Sequence, residues 1–265
     1  MSGLRYDREA SLRLERAYTT PDVQSQRDEV RRSLAVEPDE RVLDLGSGPG
    51  ILSCELAALV GPEGRITAVD VSEEMNAMAS RRISEQGFAE RVAVVLGDAA
   101  SLPFPDAYFD AAVSTQVLEY VDNVEAALQE LRRVLRTGGR LVLLDTDWDT
   151  LIWAAFDEPR AARILEAWSA HAAHTNLPRT LGRLLQRSGF VLDELRVIPL
   201  LNTSYNEHTY SYNLAALIAD FVRNHETVSG TDVDAWLAEF ESLERATAYF
   251  FSLNRYLFRA TSTIG

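Results

Sequence analysis

From position 41 to about 145 the chain alternates short apolar runs with longer stretches whose apolar residues recur three and four positions apart. The runs predict strands at Arg41–Leu45, Arg65–Asp70, Arg91–Gly97, Phe109–Ser114 and Arg140–Asp145. The stretches between them predict helices at Ile51–Val60, Glu73–Gln86 and Asn123–Arg136. In the last of these, Val124, Leu128, Leu131, Val134 and Leu135 share one face, Asp122-Asn123 can cap the start and Gly138 can end it. Alternation of this kind is the pattern of right-handed βαβ units on a parallel sheet. Residues 5–20 and 22–35 read as two charged amphipathic helices separated by Tyr18-Thr19-Thr20-Pro21-Asp22. After residue 145 the pattern changes to helices at Asp157–Ala173 and Leu177–Ser188, a strand at Phe190–Ile198, helices at Ser211–Glu226 and Asp232–Ala248, and a final aromatic strand within Tyr249–Ala260. The prediction is an α/β fold with a helical cover over 1–40 and a main domain over 41–265, the latter carrying helical lid insertions at about 150–188 and 202–248.

Charge narrows the partners. The 265 residues include 40 acidic and 26 basic side chains for a net charge of −14, and no basic run offsets a field that repels polyanions, so nucleic acid is not expected as a partner. The first residues, Met1 to Glu9, are charged where a signal peptide would be apolar, and no segment approaches the ~18 apolar residues of a membrane span. The expectation is a soluble, cytoplasmic protein without membrane contact. Cys54 is the only cysteine, which excludes a disulfide framework and a cysteine-based metal site; it reads as a small buried hydrophobe.

The chemistry concentrates at strand ends. Arg41-Val42-Leu43-Asp44-Leu45-Gly46-Ser47-Gly48-Pro49-Gly50 runs a strand into a glycine-rich turn that opens a helix. Glycines permit unusual backbone conformations and bring bare N–H groups against a nucleotide-like ligand. Dinucleotide turns read G-x-G-x-x-G and face a pyrophosphate, whereas this one reads G-x-G-x-G with Asp44 beside it, which suits a cationic ligand. In open parallel sheets, ligands lie across the C-terminal strand ends. There, Asp70 can accept hydrogen bonds from ribose hydroxyls, Met75 can pack on an adenine face, and Gly97-Asp98-Ala99 offers a carboxylate and a backbone N–H to the adenine edge. Ser114-Thr115-Gln116-Val117 ends the fourth strand, where the reacting end of the ligand should meet its substrate.

These stretches, with Val71-Ser72-Glu73-Glu74 after Asp70 and Leu131–Gly139, resemble a class I S-adenosylmethionine-dependent methyltransferase over residues 15–145. The subgroup is that of small-molecule enzymes similar to the quinone-biosynthesis methyltransferases. The resemblance implies a Rossmann-like, seven-stranded, mostly parallel sheet with an antiparallel last strand. It implies S-adenosylmethionine as cofactor, S-adenosylhomocysteine as product, and a small-molecule acceptor, a metabolite or natural product methylated on O, N or C. It places Gly46, Ser47 and Gly48, with Gly50, at the methionine portion and Asp44 near its ammonium group. Asp70 and Val71 fall at the ribose, Met75, Gly97, Asp98 and Ala99 at the adenine, Thr115, Gln116 and Val117 at the sulfonium end, and Tyr18 in a segment that closes over the cofactor. Gln26 and Arg27 on the next helix can also reach it. The chain is expected as a monomer or homodimer.

Methyl transfer needs mainly in-line positioning, although a phenol, alcohol or amine acceptor gains from a general base. The candidates are His171, His174, His208, His225, Asp147 and Asp149. His171 and His174 sit one helical turn apart without a third ligand, so no metal is expected. Trp148, in a predicted loop over Asp145–Thr150, is expected to stack on the acceptor or to plug the gap between sheet and lid. Two rivals remain: a non-catalytic protein that binds the same cofactor for regulation, and a nicotinamide-dependent oxidoreductase, against which the turn spacing and Asp98-Ala99 count.

Overall fold

In the computed structural model, which describes residues 8–223 and 225–263, seven strands form a single sheet. They are β1 (Arg41–Leu45), β2 (Arg65–Asp70), β3 (Val92–Leu96), β4 (Phe109–Thr115), β5 (Leu135–Trp153), β6 (Phe190–Asn202) and β7 (Phe251–Ser262), in the order β3-β2-β1-β4-β5-β7-β6. β1 to β5 pair in parallel, and β7 runs antiparallel to both of its neighbours. This is the seven-stranded, Rossmann-like sheet expected from the resemblance. Strand order reverses at β1, between β2 and β4, and that reversal opens a crevice beyond the strand ends.

The helices are α1 (Arg8–Tyr18), α2 (Pro21–Leu34), α3 (Ile51–Ala57), α4 (Glu73–Glu85), α5 (Val124–Val134), α6 (Glu158–Trp168), α7 (Pro178–Arg187), α8 (Tyr210–Val222) and α9 (Gly230–Arg245). Their starts are set locally. Ser72, Asn123, Asp157 and Ser229 each accept a first-turn N–H, and Pro21, Pro159 and Pro178 occupy first-turn positions where the missing N–H costs nothing. Residues 1–7, which include the first part of the charged start and residues 5–7 of the first expected helix, lie outside the described residues.

Three apolar cores hold the layers. α2, α3 and α4 cover one sheet face through Val30, Leu34, Leu56 and Ile83, and α5 and α7 cover the other through Leu128, Leu131, Leu181 and Leu185. The third core contains all four tryptophans, Trp148, Trp153, Trp168 and Trp236, and joins α6, α8 and α9 to the far ends of β5 and β7. Trp153 stacks on Phe240 at 4.6 Å between centroids and meets Trp236 edge-on at 5.3 Å.

α3 stops at Ala57 instead of Val60, β6 runs on to Asn202 and α8 stops at Val222, and two further elements differ more from the sequence pattern. β5 spans 19 residues, starting at Leu135 and continuing through Asp145–Thr150, which the sequence read as a loop. Its partner β7 supplies the ladder, with pairs from Arg140↔Thr261 to Trp153↔Phe251 and an irregularity between Asp147 and Ile152. The lid helix predicted over Asp157–Ala173 ends at Trp168 and continues only as a short 3₁₀ turn over Ser169–His171.

Candidate functional site

A cavity of about 680 Å³ opens beyond the C-terminal ends of β1, β2 and β4 and is roofed by α1 and α2 through Tyr18, Val23, Gln26 and Arg27. That volume lies within the usual range for small-molecule sites. Its wall includes the turn Gly46–Pro49, the β2 end Asp70-Val71-Ser72 with Met75, Gly97-Asp98-Ala99 after β3, and Thr115-Gln116-Val117 after β4. Tyr120–Asn123, Leu144 and Arg255 close the remaining side.

The glycine turn is built inward. Gly46 and Ser47 donate their N–H groups to the Val69 carbonyl at 2.7 and 3.0 Å, Gly48 donates to Asp70 Oδ2 at 2.9 Å, and Gly50 donates to the Ser47 carbonyl at 3.0 Å. The bare N–H groups expected from the sequence are therefore already taken, so the turn itself has no amide left for a pyrophosphate. Gly46 has φ +71°, and a Cβ there would lie 2.0 Å from Val117 Cγ2. Gln116 beside it is a non-glycine residue at φ +57°, a conformation that costs about 1 kcal/mol and is typically kept where a binding wall demands it.

Asp70 is fixed by two amides, from Gly48 to Oδ2 and from Ser72 to Oδ1, both at 2.9 Å. Burial raises its carboxyl above the usual range while these N–H groups oppose the rise. Asp44 and Gly50 do not line the cavity. Asp44 is buried beneath the turn, takes the Ser53 hydroxyl at 2.5 Å, and is pushed by burial up to about 7. Arg27, placed on the wall as the sequence suggested, is committed to Glu55 and to the Tyr18 carbonyl.

Comparison with known proteins points the same way. Residues 43–143 match a methyltransferase domain family. The chain is 36% identical over 195 residues to an uncharacterized 37.1 kDa protein in transposon TN4556 of Streptomyces fradiae, covering 71% of this chain and 53% of that protein, so it spans about half of that relative. It is 29% identical over 196 residues to the ubiquinone/menaquinone biosynthesis C-methyltransferase UbiE of Yersinia enterocolitica, covering 69% of this chain and 73% of UbiE. The fold is similar to that of the [4+2]-cyclase SpnF, with a TM-score of 0.61 at 23% identity over 92% of this chain and 82% of SpnF. Residues 43–143 thus form a domain similar to the S-adenosylmethionine-dependent methyltransferases, UbiE among them.

The four side chains expected to act on the acceptor lie behind the cavity wall rather than on it. Asp147 sits on β5 and holds Arg179 through a bidentate pair at 2.8 and 3.0 Å. Trp148 is buried among Trp168 and His171, with its indole N–H directed at Glu119 Oε1 at 3.4 Å, so of its two readings the geometry matches the plug. His171 is fully buried, stacks on Trp168 at 3.7 Å and contacts the Trp168 carbonyl through Nδ1 at 2.6 Å; burial lowers its pKa to about 4. His174 meets the Val121 carbonyl through Nε2 at 3.1 Å. The physical reason is the length of β5, which carries Trp148 into the tryptophan-rich core. His208 and His225 bond only near their own loops, and no described group of three or more His, Cys, Asp or Glu residues is placed to hold a metal. No described helix is long and apolar enough to cross a membrane.

Behind the wall, Glu119 and Asp145 form a buried acid pair that sequence reasoning did not single out. Glu119 takes the Thr146 amide at 2.7 Å, and Asp145 takes the Glu119 amide at 3.3 Å. Burial, then the charge of Glu119, pushes Asp145 up to about 8. From about pH 4, where a free aspartate titrates, to about pH 8 the folded state thus holds a proton that the unfolded chain has released. Stability is expected to fall across that window by at most about 1.4 kcal/mol per pH unit from this group. Urea midpoints at pH 5 and pH 8 check it: Asp145→Asn should show a smaller loss than wild type, and parallel curves would contradict the assignment.

Proposed function

We propose that the chain transfers the methyl group of S-adenosylmethionine to a small-molecule acceptor and releases S-adenosylhomocysteine. The observation that carries this reading is the turn: with the amides of Gly46, Ser47, Gly48 and Gly50 engaged internally, it keeps no N–H group for a pyrophosphate, which suits the amino-acid end of a sulfonium cofactor better than a dinucleotide. The nicotinamide rival needs free N–H groups at that point. Asp70, already aligned by two amides, has lone pairs to spare for ribose hydroxyls. Asp98 and Ala99 then meet the adenine, and Met75 packs beside it.

When bound, S-adenosylmethionine supplies an electrophilic methyl carbon on a positively charged sulfur. This chain's part is positional: Thr115, Gln116 and Val117 shape the wall where that methyl faces the acceptor, and α1 and α2 roof the space against water. None of the expected bases faces the cavity, so catalysis by orientation is the reading the geometry supports. A cavity roofed by two helices supports a metabolite or natural product as acceptor over a macromolecule. UbiE, by its name a C-methyltransferase, adds carbon to oxygen and nitrogen as acceptor atoms. The test is S-adenosylhomocysteine release over a broad panel of small phenols, enols, amines and carboxylic acids. Release with at least one acceptor is expected; tight S-adenosylmethionine binding without release from any would favour the regulatory rival.

A further inference from the structure

Arg255 is a charged residue in an apolar phase. Along β7 it follows Phe251 and Leu253 and precedes Leu257, all fully buried, and it is itself 0% exposed. Its guanidinium lies over the Tyr210 ring at 4.7 Å and gives one N–H, from Nη1, to Gln26 Oε1 at 2.5 Å. Nε and Nη2 of Arg255, and Nε2 of Gln26, have no hydrogen-bond partner among the described residues. Both side chains are more than nine-tenths buried, and both line the cavity. Glu119 senses the charge, but its oxygens are directed to the Thr146 amide and the Trp148 indole.

The unpartnered atoms are of a particular kind. Nε and Nη2 make up the side edge of a guanidinium, whose two parallel N–H bonds match the two oxygens of a carboxylate. Arg179 uses that same pair of atoms to hold Asp147 in this protein. A buried fork with no acceptor is costly to keep, which points to an acceptor arriving from the cavity. Of the other described wall residues, Arg27 is the remaining cation, and it is engaged by Glu55 and the Tyr18 carbonyl.

Strand order places the fork at the acceptor end. Arg255 is paired with Thr146, just past Leu144 on the cavity rim, and β7 stands three strands from β1, roughly 14 Å at the usual strand spacing. The glycine turn that receives the methionine portion follows β1 and is thus well removed. We propose that Arg255, oriented by Gln26, forms an anion subsite that selects acceptors bearing a carboxylate. This rests on the cavity being the S-adenosylmethionine site. It also accounts for the charge balance, because an anionic acceptor would sit between the cationic sulfonium and the guanidinium.

The test uses the chain saturated with S-adenosylhomocysteine and titrated calorimetrically with benzoate and octanoate and with their amides. At least one carboxylate should bind ten times or more tighter than its amide. Arg255→Met and Gln26→Leu should each erode that preference, Arg255→Lys should restore part of it, and S-adenosylhomocysteine affinity should change less than twofold in the two Arg255 variants. Melting curves identify any variant that fails to fold, and the remaining variants then carry the comparison. Equal binding of acid and amide, or no binding of either, overturns the proposal, as does a preference that survives Arg255→Met. A large loss of S-adenosylhomocysteine affinity in Arg255→Met would also overturn it, by placing the fork on the cofactor's own carboxylate. If wild type does not bind S-adenosylhomocysteine at all, it is the cofactor reading that fails.

Discussion

Asp70→Ala is expected to weaken S-adenosylmethionine binding by roughly a hundredfold while leaving the chain folded. Two hydrogen bonds from ribose hydroxyls to a carboxylate are worth about 1.5 kcal/mol each at the low end, and about 3 kcal/mol corresponds to two powers of ten in Kd. The substitution also strips the Gly48 and Ser72 amides of their acceptor, so the turn and the start of α4 lose the side chain that holds them in register. Asp70→Asn keeps one carbonyl oxygen and a similar shape, and should lose less, about tenfold. Calorimetric titration with S-adenosylhomocysteine, with a melting curve to establish folding, checks both. Unchanged affinity in Asp70→Ala would remove the ribose from this position.

Gly46→Ala should be the more damaging change to the scaffold. The new Cβ would meet Val117 at Cγ2 (2.0 Å), Cγ1 (2.8 Å) and Cβ (2.9 Å), and because Cβ itself is in the way no rotation of the valine relieves the clash. The backbone at φ +71° adds about 1 kcal/mol for any residue with a side chain, and the overlap adds about 1–3 kcal/mol. Binding should suffer as well, since Val117 and Gly46 both line the cavity. The double variant Gly46→Ala/Val117→Ala separates the terms. Removing the valine methyls should recover part of the steric share and none of the backbone share, so the two changes will not be additive. Additive denaturant midpoints would mean that the two residues do not press on each other.

Much of this site is legible in the sequence because parallel strands buried on both faces read as plain apolar runs, and the polar residues that interrupt them fall at strand ends. Asp70, Asp98, Thr115 and the glycine turn stand out for that reason. Asp44 misleads by the same logic: an acid beside a turn reads as a ligand contact, and only Ser53, nine residues on, reveals that it is held from below. The stretch Asp145–Thr150 reads as a loop because three of its six residues are aspartates, yet it forms strand because β7, more than a hundred residues later, lies beside it. That partnership is non-local, and no window of sequence contains it. Arg255 escaped for a related reason. A polar residue in an aromatic run passes for ordinary alternation, and the available clue was its phase, since it occupies the position of Phe251, Leu253 and Leu257 rather than that of Ser252, Asn254 and Tyr256.

Buried titratable groups also bear on pH behaviour. Asp44, at about 7, and Asp145, at about 8, each bind a proton in the folded state above the free aspartate range, so both contribute stability that declines as pH rises toward 8. His171 acts in the opposite direction lower down. Its pKa of about 4 means that stability is gained as pH rises from about 4 to 6.5, where the unfolded histidine loses its proton. With Asp145→Asn the carboxylate slope is reduced and the histidine slope stays.

The most direct measurement is a crystal structure of the chain with S-adenosylhomocysteine. The ribose hydroxyls should lie within hydrogen-bond distance of Asp70, the adenine against Asp98, Ala99 and Met75, the amino group against the glycine turn, and the sulfur facing Thr115–Val117. A ligand bound outside this cavity, or one reversed so that its adenine lies toward β7 and Arg255, would contradict that placement.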